Sequence, residues 1–181
     1  MSSYQDLKSF KLDPGFRGRS SFTVQVWWLV EAFFFRTSPQ LLYGWRRSLL
    51  RLFGAKIGKG VIIRPSVKIT YPWKVTVGDY SWIGDNVVLY SLGEIKIGNN
   101  VVVSQKSYLC TGTHDYTSLD FKIYAVPIVI EDEAWLATDV FIGPGVTVGR
   151  GAVVGARSSV FKSIEGGLVY AGNPLGIIKK R

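Results

Sequence analysis

Aliphatic side chains return at every sixth position along most of this chain. Towards the C-terminus they are Ile130, Leu136, Ile142, Val148, Val154 and Val160. The same frame extends backwards in three shorter runs, which are Ile57, Ile63 and Ile69, then Val77, Ile83 and Leu89, then Ile97, Val103 and Leu109. A six-residue period fits neither an α-helix nor the simple alternation of a strand. It is typical of a β-helix that is built from hexapeptide repeats.

Three hexads make one triangular coil whose sides are short strands, and successive coils stack about 4.8 Å apart. The frame predicts coils over residues 57–74, 77–94, 97–114, 130–147 and 148–165. Glycine follows seven of the frame residues, for example at Gly98 and Gly149. Glycine suits corners at which a Cβ atom would clash with the next coil. The predicted fold class is therefore an all-β solenoid.

One long excursion interrupts the coils. The frame slips by two residues at 75–76 and at 95–96, but by fifteen residues at 115–129. A loop of this length in a regular solenoid is usually functional. We therefore expect the chemistry to lie near the loop 115–129.

The segment before the coils has a different pattern. Residues 1–21 contain Pro14 and two glycines, which predicts an irregular arm. Two apolar stretches with roughly helical spacing follow, so we predict two short helices, the second ending at Gly54. The predicted organisation is an arm and helical cap over 1–56, a β-helix over 57–165 and a C-terminal tail over 166–181.

Charge and aromatic content leave two interpretations of residues 1–56 open. This segment has nine Lys and Arg against three Asp and Glu, so it holds +6 of the formal net charge of +9. As a cap, it would cover the unpaired strand edges at the open end of the coil stack. As an aromatic and basic surface, it would make peripheral contact with a membrane, and the two roles are compatible. Nucleic-acid binding is not expected, because no recognition motif accompanies the charge.

The sequence also bears on location. The polar start shows no secretory signal, and the apolar run 22–35 is too short to span a bilayer. The single cysteine, Cys110, excludes an internal disulfide and fits a reducing compartment. We therefore expect a cytoplasmic protein, located at the inner face of the membrane if the aromatic segment binds lipid.

The chain has one histidine, His114, at the base of the long loop. A neutral imidazole is suited to accept a proton from a hydroxyl near neutral pH. Cys110 lies four residues earlier and could act as a thiol nucleophile. Its type and its position in a turn favour a packing role instead.

Four stretches resemble the hexapeptide-repeat acyltransferases, which fold as left-handed β-helices: IGDYSWIG, YLCTGTHDY, AWLATDVFIGPGVTVGRGAVVGARSSV and VYAGNP. Within that family the chain is similar to the colanic-acid (exopolysaccharide) biosynthesis acetyltransferases through WWLV and LYGWRRSLLRLFGAKIGKGV. The resemblance covers roughly residues 22–178. The left hand of the coil comes from the resemblance, because spacing alone does not define it.

The resemblance implies a homotrimer with active sites in clefts between neighbouring coils, and acetyl-CoA as the acetyl donor. His114 matches the catalytic base of the family, which would deprotonate the acceptor hydroxyl for direct attack on the thioester. The implied acceptor is a sugar of an exopolysaccharide or of its lipid-linked oligosaccharide precursor. Asp115 replaces a proline that often follows this histidine, so it either orients His114 or starts the loop.

Six further residues match positions that bind acetyl-CoA in the family: Trp135, Ala137, Thr138, Ala156, Lys162 and Lys179. The tryptophan would lie beside the histidine and the pantetheine arm, and the three small residues would line the pantetheine channel. The two lysines would lie near the nucleotide and its phosphates. For the lysines, a solvated surface role is an equally good interpretation.

Other functions stay open at this point. The acceptor could be a small soluble sugar or an antibiotic, and the chain could form a non-catalytic trimeric scaffold. A carbonic anhydrase on the same fold needs three histidines on zinc. The single histidine disfavours that function, so no metal is expected.

Overall fold

The computed structural model describes residues 3–181 and shows a parallel β-helix with a helical N-terminal cap. Residues 1 and 2 of the predicted arm lie outside the described residues. The helices are α1 (Ser21–Val30), which continues as a π-helical turn over Glu31–Phe35, and α2 (Tyr43–Leu52). The strands, in chain order, are β1 (Lys56–Ile57), β2 (Ile62–Ile63), β3 (Lys68–Ile69), β4 (Val75–Val77), β5 (Trp82–Ile83), β6 (Val88–Tyr90), β7 (Ile95–Ile97), β8 (Val102–Val103), β9 (Tyr108–Cys110), β10 (Gly112–His114), β11 (Ile123–Ala125), β12 (Ile128–Ile130), β13 (Trp135–Leu136), β14 (Phe141–Ile142), β15 (Thr147–Val148), β16 (Val153–Val154), β17 (Ser159–Val160), β18 (Leu168–Ala171) and β19 (Gly176–Lys180).

Three parallel sheets form the sides of a triangular prism. Sheet A has the strand order β1-β4-β7-β12-β15, and sheet C has the order β3-β6-β9-β14-β17. Sheet B starts with β2-β5-β8-β13-β16 and continues into β18 and β19. The register stacks inward residues on one another, so that Ile97 lies between Val77 and Ile130. Each coil therefore contributes one strand to every side.

The interior of the prism is filled by the aliphatic frame residues. All fifteen frame positions from Ile57 to Val160 are buried, and only Ile57 has more than 2% of its surface exposed. Full burial of one such side chain contributes about 1.5–3 kcal/mol. A polar side chain there would lose its hydrogen bonds to water without a replacement. The six-residue period is therefore a direct consequence of the prism geometry.

Glycine allows the coils to stack closely at their corners. A Cβ atom added to Gly98 would lie 2.7 Å from the backbone nitrogen of Asp132 in the next coil. Beside this contact, the backbone nitrogen of Asn99 donates to the carboxylate of Asp132 at 2.7 Å. A residue larger than glycine would separate the two coils and break this hydrogen bond.

Helix α2 covers the open edge of the first coil through arginine side chains. Arg51 donates from Nη2 to the carbonyl of Ile57 at 2.8 Å. The fully buried Arg46 donates from Nε to the carbonyl of Ile63 at 2.7 Å. These carbonyls belong to β1 and β2, which have no earlier coil to pair with. The arginines thus stabilise a strand edge, and the cap interpretation is confirmed.

The segment of α1 and its π-helical turn covers the third side in the same way. Trp27 donates from Nε1 to the carbonyl of Ile69 in β3, and the backbone nitrogen of Ile69 donates to Glu31, both at 2.8 Å. Burial raises the pKa of the Glu31 carboxyl, and the hydrogen bond from Ile69 opposes this shift. Each of the three strands of the first coil therefore has a partner in the cap.

The parallel stack continues into the segment that the sequence predicts as a tail. Strand β18 pairs in parallel with β16, and β19 pairs antiparallel with β18. Tyr170 lies opposite Val154 and is 6% exposed, so an aromatic ring closes this end of the core. The six-residue aliphatic frame does not predict this layer. Its inward residue, Tyr170, is aromatic and lies out of step with the six-residue period.

The excursion after sheet C is a hairpin rather than an unstructured loop. Strands β10 and β11 pair antiparallel, with His114 opposite Ile123. Ile128 is fully buried and already pairs with Ile95 in sheet A. The predicted loop 115–129 is therefore shorter than the sequence indicates, because its last two residues belong to β12.

Replacing Ile97 with alanine should lower the free energy of unfolding by about 2–5 kcal/mol, because the prism wall cannot collapse into the resulting cavity. Lys96→Ala is the matched control, since Lys96 is exposed on the same strand β7. The measurement is urea unfolding followed by circular dichroism. Equal losses in the two variants would contradict the interior position of the frame.

Candidate active site

The hairpin of β10 and β11 projects from the corner between sheets C and A. His114 is the last residue of β10. The imidazole is half-buried, and its Nδ1 lies 2.8 Å from the carbonyl oxygen of Phe121. A carbonyl oxygen only accepts, so Nδ1 carries the proton of the neutral ring and Nε2 keeps its lone pair. Nε2 is therefore the nitrogen that is available for proton transfer.

Phe121 is a site residue that the sequence pattern did not reveal. Its ring stacks on the imidazole of His114, with centroids 4.2 Å apart and planes 13° apart. Its φ angle is +48°, which a bulky residue adopts rarely. This turn conformation presents both the ring and the carbonyl of Phe121 to the same imidazole. The string LDFKI has no glycine or asparagine to mark the positive φ angle, so the sequence does not reveal this conformation.

Asp115 bonds to the turn and not to the imidazole. Its carboxylate accepts from the backbone nitrogen of Thr117 at 2.9 Å and from the hydroxyl of Thr117 at 2.6 Å. These hydrogen bonds lower the pKa of the Asp115 carboxyl. Of the two interpretations of Asp115, the structure favours the one in which it starts the loop.

Cys110 lies at the end of β9 in a setting that disfavours a thiolate. Burial raises the pKa of its thiol, and the Sγ atom lies 3.3 Å from the carbonyl of Gly112. A nucleophilic cysteine needs the opposite shift, which nearby cations or a helix N-terminus provide. The geometry agrees with a packing role.

Three of the predicted acetyl-CoA residues lie at the corner between sheets B and C: Ala137, Thr138 and Ala156. Trp135 lies on strand β13 of sheet B, just before this corner. Trp135 is 45% exposed and donates from Nε1 to the hydroxyl of Ser104 at 3.0 Å. The backbone nitrogen of Arg157 donates to the carbonyl of Thr138 at 2.9 Å, so this corner is held in register between coils. The small residues leave the backbone of the corner accessible.

A single chain does not bring Trp135 next to His114. Trp135 lies on sheet B, whereas the hairpin leaves the far end of sheet C. A three-residue strand such as β9 separates these corners by about 10 Å. Within one chain, sheet C therefore lies between the two groups.

The two predicted lysines lie near the C-terminal end of the prism. Lys162 borders a cleft of about 650 Å³ with Phe161, Tyr170 and Leu175 on its walls. Lys179 is exposed on β19, opposite Val169. The cleft thus has mainly apolar walls and the ammonium group of Lys162 at its border.

No family model matches the chain. A protein of Escherichia coli (strain K12) named colanic acid biosynthesis acetyltransferase WcaF is 63% identical over 177 residues, which cover 98% of this chain and 97% of the relative. A hexapeptide-repeat acetyltransferase of Vibrio cholerae O1 biovar eltor, complexed with acetyl-CoA, has a TM-score of 0.79 at 26% identity and covers 96% of this chain and 94% of its own. The chain belongs to the hexapeptide-repeat acetyltransferases.

This acetyltransferase has further relatives among sugar-modifying enzymes. The galactoside O-acetyltransferase of Escherichia coli (strain K12) is 30% identical over 138 residues, which are 75% of this chain and 68% of that enzyme. The comparisons confirm the family and the acyltransferase activity that the repeat motifs indicate. The individual site residues stay predictions.

Two observations on residues 3–181 concern alternatives that the sequence left open. None of the helices in this part of the acetyltransferase is long and apolar enough to cross a membrane. Within the same residues, no group of three or more His, Cys, Asp and Glu side chains is placed to hold a metal ion.

Proposed function

We propose that this acetyltransferase moves the acetyl group of acetyl-CoA to a sugar hydroxyl, with His114 as the general base. The acceptor is a sugar of an exopolysaccharide or of its lipid-linked precursor. The hydrogen bond from His114 Nδ1 to the carbonyl of Phe121 carries the proposal, because it fixes the tautomer in which Nε2 can accept a proton.

The names of the relatives support the proposed donor and the proposed acceptor. The relative that is 63% identical over 98% of the chain is named for colanic acid biosynthesis, and a second relative is named for galactosides. The Vibrio cholerae structure contains acetyl-CoA. Sugar hydroxyls as acceptors and acetyl-CoA as donor therefore suit this chain better than a non-catalytic scaffold.

In the proposed reaction, the acceptor oxygen attacks the thioester carbonyl while Nε2 of His114 takes the hydroxyl proton. Collapse of the adduct breaks the carbon–sulfur bond, and the imidazolium returns the proton to the departing sulfur. The products are an O-acetyl ester and CoA with a free thiol. Backbone N–H groups would stabilise the transient oxyanion, and holding both substrates together supplies much of the acceleration.

The outer faces of the prism support a homotrimer. The outward residues of sheet A are mostly polar: Lys56, Thr76, Lys96, Val129 and Thr147. Those of sheet B are apolar: Ile62, Trp82, Val102, Trp135 and Val153. Sheet C carries a column of aromatic rings that runs through Tyr90, Tyr108, Phe141 and Phe161, with neighbouring centroids 5.5–6.1 Å apart. Two sides are thus suited to contact other copies, and one is suited to water.

A ring of three copies buries both apolar sides. If sheet C of one copy packs against sheet B of the next, the heterologous contact closes after three subunits. The same contact brings His114, at the end of sheet C, towards Trp135 of a second copy. This accounts for the separation of the two groups within one chain.

The proposed acetyl-CoA path follows the corner between sheets B and C. Ala137, Thr138 and Ala156 are small, so a pantetheine arm can lie against the backbone there. The cleft beside Lys162 has apolar walls that suit an adenine ring, and Lys179 adds positive charge for the phosphates.

Peripheral membrane contact through the outer face of α1 and its π-helical turn is part of this proposal. Phe22, Leu29 and Phe33 are 78%, 59% and 67% exposed. A surface helix normally directs polar residues outward, and an apolar outer face needs a partner. Exposed basic residues of the same segment, among them Arg19 and Arg36, favour an anionic lipid surface as that partner.

Replacing His114 with alanine should lower kcat/KM by about 10²–10⁴-fold, because the hydroxyl then loses its proton to water alone. The assay detects the free thiol of CoA, with acetyl-CoA as donor and a panel of soluble sugars, antibiotics and lipid-linked oligosaccharides as acceptors. Cys110→Ala is the matched control and should keep the wild-type rate. Unchanged turnover in His114→Ala would contradict the mechanism, and turnover restricted to soluble sugars or antibiotics would contradict the proposed acceptor.

The double substitution Leu29→Ser and Phe33→Ser should weaken sedimentation with phosphatidylglycerol vesicles roughly a hundredfold, because two apolar side chains no longer enter the lipid. Tyr80→Ser is the control, since Tyr80 is 60% exposed on the coil body. Failure of the wild-type protein to sediment with these vesicles would contradict the membrane contact.

A further inference from the structure

The N-terminal arm, residues 6–18, lies against the hairpin of the candidate site. The backbone nitrogen of Asp6 donates to the carbonyl of Leu119 at 2.7 Å. The carboxylate of Asp13 lies 3.2 Å from Nζ of Lys122. Both contacts join the arm to the turn between β10 and β11. The arm therefore lies next to the candidate active site.

The other end of the arm is attached to the coil body. Trp73 donates from Nε1 to the carbonyl of Arg17 at 2.7 Å, and Lys74 donates from Nζ to the carbonyl of Phe16 at 2.6 Å. The ammonium of Lys74 also lies 5.4 Å from the centroid of the Phe16 ring. Because both ends are held, the position of the residues between them is defined.

Phe10 lies in this middle part and flanks the imidazole. Its ring centroid is 6.4 Å from that of His114, with the planes 50° apart. Phe10 is 36% exposed and lies in neither of the two buried apolar clusters. Core packing therefore does not account for its place beside the histidine, and its ring is accessible to a ligand.

We propose that Phe10 is a specificity-determining residue of the acceptor site, an inference that rests on the proposed function. The reacting hydroxyl must lie about 3 Å from Nε2 of His114. The rest of the sugar ring then extends over the groups around the imidazole, among which is Phe10. The carbon–hydrogen face of a pyranose packs on an aromatic ring, while its hydroxyls stay free for hydrogen bonds.

Phe10 of the arm thus forms one wall of the proposed acceptor site, and Phe121 of the hairpin forms another. An acceptor that presents an apolar face to Phe10 is favoured, and one with an axial polar group there is disfavoured. Because Phe10 contacts the acceptor and not the donor, its removal affects acceptor binding alone.

The single histidine permits a test that does not depend on turnover. The NMR signal of the His114 Cε1 proton reports binding beside the imidazole, and the probes are the methyl glycosides of glucose and galactose. They are titrated into the wild-type protein, Phe10→Ala, Phe10→Trp and Leu7→Ala. Leu7 is the matched control, because it is an apolar residue of the same arm that is 61% exposed.

Phe10→Ala should raise the Kd of the responding glycoside about tenfold, whereas Phe10→Trp and Leu7→Ala should leave it within about twofold. In turnover, Phe10→Ala should raise the KM for the acceptor and leave the KM for acetyl-CoA unchanged. Wild-type affinity in Phe10→Ala, or no response of His114 to either glycoside, would overturn the inference. A glycoside response without any release of CoA would contradict the proposed function and leave the role of Phe10 standing.

Discussion

The interior of the prism admits one aliphatic side chain from each short strand, and the rest of the structure depends on this constraint. Since alternate residues of a strand point to opposite faces, fixing the inward residue also fixes its outward neighbours. Ile97 inside therefore places Lys96 outside, and Leu136 inside places Trp135 outside. The core therefore fixes which residues form the outer faces: mostly polar residues on sheet A, apolar residues on sheet B and a column of aromatic rings on sheet C.

A stack of parallel strands leaves unpaired carbonyls at its first coil, and this chain saturates them with side chains. Arg51, Arg46 and Trp27 each donate to one strand of the first coil. The basic charge of the N-terminal segment thus has a structural use, because guanidinium groups supply several donors at a buried edge. The aromatic residues on the outside of α1 have no such use, and for that reason we propose a lipid surface for them.

The sequence predicted the features that a short period or a local motif encodes. The frame residues, the cap and the position of His114 at the base of an excursion all follow from such local signals. Phe121 and Phe10 did not, since their role arises from a turn and an arm that meet His114 only in the folded chain. Tyr170 was missed for a related reason, because an aromatic ring ends a core that aliphatic residues fill elsewhere.

We propose that each active site is divided between sheet C of one copy and the corner of sheet B of another. Mixed trimers of His114→Ala and Ala156→Trp test it most directly, since one variant lacks the base and the other blocks the proposed pantetheine channel. After the two inactive proteins are unfolded together and refolded, random assembly should restore about a quarter of the wild-type activity. Activity that stays at the sum of the two parents would contradict the divided site.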